Sequence, residues 1–192
     1  AKSARNMQED ACIPACEQFV GGVATRDVQI PSQDGNHMIW ARLFLPKDHA
    51  DAIISSSTFP VVLYAHGGAY CSGRPDSPAF HRFCVDMALE SSCLWISLAY
   101  RLAPAHRLPI AFDDGFSALL WLRSQARAQQ PQKSPLGHDI DEFEPKNIID
   151  HELALDPWLS PEVVDFSRLF LAGESAGATI MFNVTMRTAN HN

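Results

Sequence analysis

Gly173-Glu174-Ser175-Ala176-Gly177 sets a serine between two glycines, directly after an apolar β-rich run (residues 167–173) and directly before a helical pattern (176–189). A nucleophile on a strand-to-helix turn needs small neighbours, because side chains at the flanking positions would meet the crowded backbone; its hydroxyl then projects above the end of the sheet. A second pattern, His66-Gly67-Gly68-Ala69-Tyr70, follows another apolar run, residues 60–65. Glycines placed directly after a strand let backbone N–H groups point into a cleft, where they can hold the charge of an anionic tetrahedral intermediate. Each pattern has a plainer reading alone, a glycine-rich helix start for the first and a simple turn for the second. Both sit at the carboxyl end of a predicted parallel strand, so the expectation is that they meet at one end of one sheet and serve acyl transfer through Ser175.

The elements that must position them can be read from periodicity. Residues 23–30 and 37–46 are β-rich and flank Asp34-Gly35-Asn36, which is turn chemistry and predicts an opening hairpin. Residues 60–66 and 93–100 are continuous apolar runs of the kind buried on both sheet faces. Between them, residues 77–91 predict a helix with Ser77 as N-cap and Pro78 at its first position. Residues 109–130 carry Ile110, Phe112, Phe116, Leu119, Leu120 and Leu122 at helical spacing and end in a basic turn. Residues 129–162 lose periodicity and collect prolines, which reads as a loop excursion from a single domain spanning 1–192, with 1–22 as an amino-terminal segment. Strands alternating with helices predict an α/β fold on a mostly parallel sheet with flanking helices.

Composition narrows the partners. Fifteen Lys and Arg against 22 Asp and Glu give a formal charge of -7, which argues against a phosphate-tracking surface and so against nucleic acid. The five cysteines are odd in number and include no C-x-x-C pair, so neither a disulfide framework nor a zinc site is expected, and a reducing, cytoplasmic setting is favoured. No apolar run approaches the roughly 18 residues of a membrane span. The sequon-like Asn183-Val184-Thr185 lies inside the last predicted helix and is discounted as a glycosylation site.

His66 to Tyr70, then Tyr100-Arg101-Leu102-Ala103-Pro104, His106 to Asp114, Asp156 to Leu159, and Asp165 to Ala178 together resemble the hormone-sensitive-lipase-like α/β-hydrolases, specifically the plant carboxylesterases. The resemblance runs from about Val23 to Ala189. It implies that Ser175 is the nucleophile, that Gly68, Ala69 and Ala176 donate the oxyanion-hole N–H groups, that Gly67 permits the turn, and that His66 shapes that loop. Ala69 stands where such proteins commonly have a third glycine; its N–H survives, so a changed pocket shape is expected and not loss of the hole. Residues 129–155 look longer than the family's usual loop. Arg101 and Asp113 are expected to form a structural ion pair bracing the helix that starts near Pro109, and Tyr100, Arg101 and Asp113 are assigned no catalysis.

An esterase serine also needs a general base and a carboxylate to orient it, and in this fold both follow the serine in sequence. No Asp or Glu follows Ser175, and the only later histidine, His191, lies sixteen residues on, about 24 Å along a helix. The expectation is therefore a fragment of a longer protein, cut after the helix that follows the serine, inactive by itself and prone to associate. For the full-length protein the leading reading is a serine carboxylester hydrolase acting on small esters. The alternative is a non-catalytic small-ligand receptor on the same fold, as in the gibberellin receptors, which resemble this family and have lost the catalytic histidine. Neither reading calls for a cofactor or a metal.

Overall fold

Residues alternate between two buried faces along β3 (Phe59–Ala65), which fixes the layering. Val61, Leu63 and Ala65 enter one apolar cluster, while Val62 and Tyr64 enter another on the opposite face. A strand buried on both sides in this way needs helices on both sides. The computed structural model describes residues 12–47, 58–128 and 155–189 and supplies them. In chain order the other elements are β1 (Val23–Pro31), β2 (Met38–Pro46), α1 (Pro78–Ser91), β4 (Leu94–Ala99), α2 (Ile110–Ala128), β5 (Val164–Gly173) and α3 (Ala176–Ala189), with a 3₁₀ turn at Pro157–Leu159. The sheet order is β1-β2-β4-β3-β5. β2 pairs antiparallel with β1 and β4, whereas β3 pairs parallel with β4 and β5, so four of the five strands run the same way.

Helix α1 covers the face of Val62, Tyr64 and Trp95 through Cys84 and Ala88. Helices α2 and α3 cover the other face through Ala118, Trp121, Leu122, Ile180 and Met181. The expected hairpin is present, and its turn is held by Asp34, whose Oδ1 accepts from the Ser32 hydroxyl at 2.5 Å and the Asn36 N–H at 3.0 Å. These donors, Ser32 first, hold the Asp34 carboxyl down to about 2.

Two local expectations need adjustment. Ser77 occupies the N-cap of α1 with extended backbone, but its side chain makes no capping hydrogen bond. Arg101 pairs with Asp114, not with Asp113: Asp114 is fully buried and accepts from Arg101 NH2 at 2.6 Å and from the Arg101 backbone N–H at 2.8 Å. Asp113, one residue earlier and so turned about 100° around the helix, pairs with Arg187 of α3 at 2.8 Å. Residues 155–162 are described and carry the 3₁₀ turn capped by Asp156, while the remainder of the expected excursion, 129–154, and residues 1–11 of the amino-terminal segment lie outside the described residues. Asn183 keeps its Oδ1 buried within α3. No helix among the described residues is long and apolar enough to cross a membrane.

Ser92 ends α1 in the left-handed region, φ 51°, with its N–H on Leu89 O. A side chain in that conformation costs about 1–2 kcal/mol, which glycine avoids at the expense of about 0.5–1 kcal/mol of chain entropy. Ser92→Gly is therefore expected to stabilise the fold by about 0.5–1 kcal/mol, read as a higher denaturation midpoint at unchanged slope.

Candidate active site

Ser175 stands on the turn between β5 and α3, at the carboxyl end of the strand, and is exposed. Its φ is +50°, a left-handed value that a residue with a Cβ adopts only when its surroundings over-determine it. The surroundings do so through Gly177, where an added Cβ would land on the Ala65 carbonyl and within 2.6 Å of His66 O. Only glycine lets α3 start this close to the end of β3. Ser175 Oγ makes no hydrogen bond among the described residues, so the hydroxyl is unencumbered.

Residues 66–70 leave the end of β3 beside this turn, because β3 and β5 are parallel neighbours in register from Val61↔Leu169 to Ala65↔Gly173. The two glycine motifs are joined directly: Glu174 N–H donates to Ala65 O at 3.4 Å, and Gly67 N–H donates to Glu174 Oε1 at 3.3 Å. The expectation that both motifs share one end of the sheet holds. After Gly67 the loop runs through three positive φ values, Gly68 at 116°, Ala69 at 52° and Tyr70 at 62°. At Gly68 any Cβ would collide with the Ser72 carbonyl, so glycine is required there. At Ala69 the left-handed backbone is tolerated at a strain cost where glycine would have none. The Gly68 carbonyl is stapled by the Cys71 and Ser72 N–H groups, both donating to it at 3.0 Å.

Among the described residues, the N–H groups of Gly68, Ala69 and Ala176 donate to nothing in the protein. Ala69 and Ser175 are open to solvent, and Gly68 is half-buried. Three free donors thus flank the carboxyl end of two adjacent strands, beside a strained serine.

The floor beneath the loop is aromatic and polar. His66 is fully buried, stacked on Tyr100 with ring centroids 4.4 Å apart and packed on Phe80 at 4.9 Å. Burial pushes its pKa down, so the ring is neutral near pH 7. Its Nδ1 lies 2.7 Å from Gly67 O, which fixes Nδ1 as the protonated nitrogen, and Nε2 is buried without a partner. The bonded ring nitrogen of His66 thus addresses the loop's own backbone and not Ser175. Tyr100 OH donates to His66 O at 2.9 Å, a contact that the sequence did not reveal. At the end of the loop, Tyr70 meets Phe112 edge-on at 5.9 Å. Among the described residues, no group of three or more His, Cys, Asp or Glu side chains is gathered as a metal site, and all five cysteines are free thiols. His191 lies outside the described residues.

A family profile described as the alpha/beta hydrolase fold matches residues 62–192. Probable carboxylesterase 3 of Arabidopsis thaliana is 32% identical over 165 residues, which cover 86% of this chain and 42% of that protein. The 2-hydroxyisoflavanone dehydratase of Glycyrrhiza echinata is 33% identical over 174 residues, covering 91% and 44%. Among solved structures, a thermophilic carboxylesterase cloned from a metagenomic library aligns with a TM-score of 0.61 at 25% identity, over 97% of this chain and 49% of that one. A bacterial heroin esterase aligns with a TM-score of 0.63 at 22% identity, over 97% and 44%, which shows the shared fold. The chain spans less than half the length of the curated relatives it matches.

Proposed function

Because the chain belongs to the alpha/beta hydrolase fold family, we propose that the full-length protein hydrolyses small carboxylic esters through an acyl-Ser175 intermediate. One observation carries this reading: the free N–H groups of Gly68, Ala69 and Ala176 sit beside a serine held at positive φ, on two motifs bonded to each other. In the proposed sequence Ser175 Oγ attacks the ester carbonyl carbon and yields its proton to a general base outside the described residues. The carbonyl oxygen becomes an oxyanion and takes bonds from those three N–H groups. Collapse expels the alcohol, which takes up the proton, and water then releases the acid by the same route in reverse. Gly67 permits the turn that presents the donors, and the Tyr70–Phe112 ring pair follows directly on the donor loop.

The carboxylesterase names among the relatives support this class of reaction. The dehydratases at similar identity show that relatives this distant differ in the reaction they are named for. A receptor without turnover would use the same three donors to hold a ligand carboxylate, so it is the carboxylesterase names among the relatives that favour hydrolysis. The test is turnover of p-nitrophenyl acetate and butyrate by the full-length protein beside residues 1–192 alone. Turnover by the full-length protein and near-background rates for residues 1–192 are expected; residual acceleration from the donors alone lies far below esterase rates. Near-equal rates would place the general base within these residues and overturn that part of the assignment.

A further inference from the structure

The loop that carries the free donors is held by two peptide planes, and each plane has identifiable anchors. The peptide between residues 66 and 67 presents His66 O to Tyr100 OH at 2.9 Å and Gly67 N–H to Glu174 Oε1 at 3.3 Å. The next peptide presents Gly67 O to His66 Nδ1 at 2.7 Å and to Tyr100 OH at 3.3 Å, which leaves its other end, the Gly68 N–H, as a free donor. Rotation of the first plane would disturb the second, because the Tyr100 hydroxyl bonds the carbonyls of both. Three of the four anchoring bonds come from His66 and Tyr100, which lie below the loop. The fourth comes from Glu174, on the other motif.

We propose that Glu174 is a positioning residue, a strut whose carboxylate oxygen locks the orientation of the 66–67 peptide and so aims the Gly68 and Ala69 N–H groups relative to Ser175. The proposal rests on the hydrolase reading above. Glu174 is suited to the task by its place in the chain, between Gly173 and the serine, with its backbone already tied on both sides. Its N–H donates to Ala65 O at 3.4 Å and its carbonyl accepts Gly177 N–H at 2.8 Å. The side chain also packs flat against Gly67: a Cβ at 67 would stand 3.2 Å from Glu174 Oε1 and 3.3 Å from its Cγ. The serine and the donors are therefore spaced by one rigid connection and not by two independent loops. Gly67 is buried beneath the exposed Glu174 side chain, so a variant that keeps the bulk at 174 but lacks the oxygen covers the Gly67 N–H and leaves it without its acceptor.

A misaimed hole weakens binding of the developing oxyanion more than binding of the neutral ester, so the effect belongs in kcat. In the full-length protein, Glu174→Met keeps length and bulk but removes the acceptor, and kcat is expected to fall roughly 10- to 100-fold with KM within about 3-fold, somewhat less than deletion of one oxyanion donor. Glu174→Gln retains an acceptor oxygen and is expected to stay within roughly 3-fold of wild type in kcat. Thermal midpoints of both variants accompany the kinetics, and kcat is taken well below the lower midpoint so that the comparison is between folded proteins. Unchanged kcat in Glu174→Met, or equal losses in the two variants, overturns the strut. Wild-type protein that fails to turn over esters overturns the hydrolase reading and this proposal together, whereas active wild type with an indifferent Glu174→Met overturns only this proposal.

Discussion

Ser175→Ala in the full-length protein is expected to cut turnover of short acyl esters by a factor of about 10⁴ or more, while affinity for a non-hydrolysable ester analogue changes little. The hydroxyl is the only atom removed, and it makes no hydrogen bond among the described residues, so its loss leaves no partner stranded. Alanine has the same Cβ as serine and meets the same left-handed backbone at φ +50°, so the turn itself is unaltered. Stability should therefore stay within about 0.5 kcal/mol. The combination is what discriminates: loss of turnover with retained binding and an unchanged melting curve assigns the nucleophile. Retained turnover would remove Ser175 from the mechanism, and a binding loss of comparable size would instead support the receptor reading.

Asp114→Ala carries the largest expected cost in stability. The carboxylate is fully buried and accepts from the Arg101 backbone N–H at 2.8 Å, from Nε at 3.0 Å and from NH2 at 2.6 Å. Arg101 itself is only 14% exposed, and its remaining carboxylate neighbour, Asp34, stands 3.8 Å from NH1. Removing Asp114 leaves a largely buried guanidinium and a backbone N–H uncompensated, a loss of about 3–5 kcal/mol. For a domain of this size that is roughly a 6–20 °C drop in melting temperature. Asp114→Asn keeps an acceptor for the backbone N–H and should cost less. A loss below about 1 kcal/mol for the alanine variant would mean that water reaches Arg101 readily and that the pair is not buried in solution. The ion pair ties the end of β4 to α2, and the loop between them contains Tyr100, so partial loosening should also lower activity before the protein melts.

Element positions were legible from the sequence because each has a strong local signal: continuous apolar runs for β3 and β4, Asp34-Gly35-Asn36 for the hairpin, and small residues around Ser175 for the strand-to-helix turn. The pairing of the two glycine motifs was legible as well, since parallel strands in a crossover fold present their carboxyl ends together. What could not be read were contacts set by tertiary geometry. Asp113 and Asp114 are adjacent in sequence and chemically identical, and only the rotation of α2 decides which of them faces Arg101. Arg42 is 2% exposed within β2, yet its partners Asp27, Ile13 O and His81 come from three separate segments, so no local pattern announces a buried arginine. Glu174 occupies the unspecified position of its motif, where sequence reasoning treats the residue as a spacer. Ser77 shows the converse, a residue of the preferred capping type in the preferred place whose hydroxyl goes unused.

The placement of β3 between β4 and β5 has a further consequence during synthesis. Its pairing with β4 closes over some thirty residues, Val61 to Leu94, but the pairing with β5 joins Val61 to Leu169, about a hundred residues later. At a ribosomal rate of roughly 5–20 residues per second, the nascent chain carries β3 with one unpaired edge for roughly 5–20 s before its second neighbour is made. That edge belongs to a strand buried on both faces in the finished sheet, and the loop of residues 66–70 hangs from its end. The nascent protein therefore exposes its own core strand, and the loop of free N–H donors at its end, as a template for foreign strands throughout that interval.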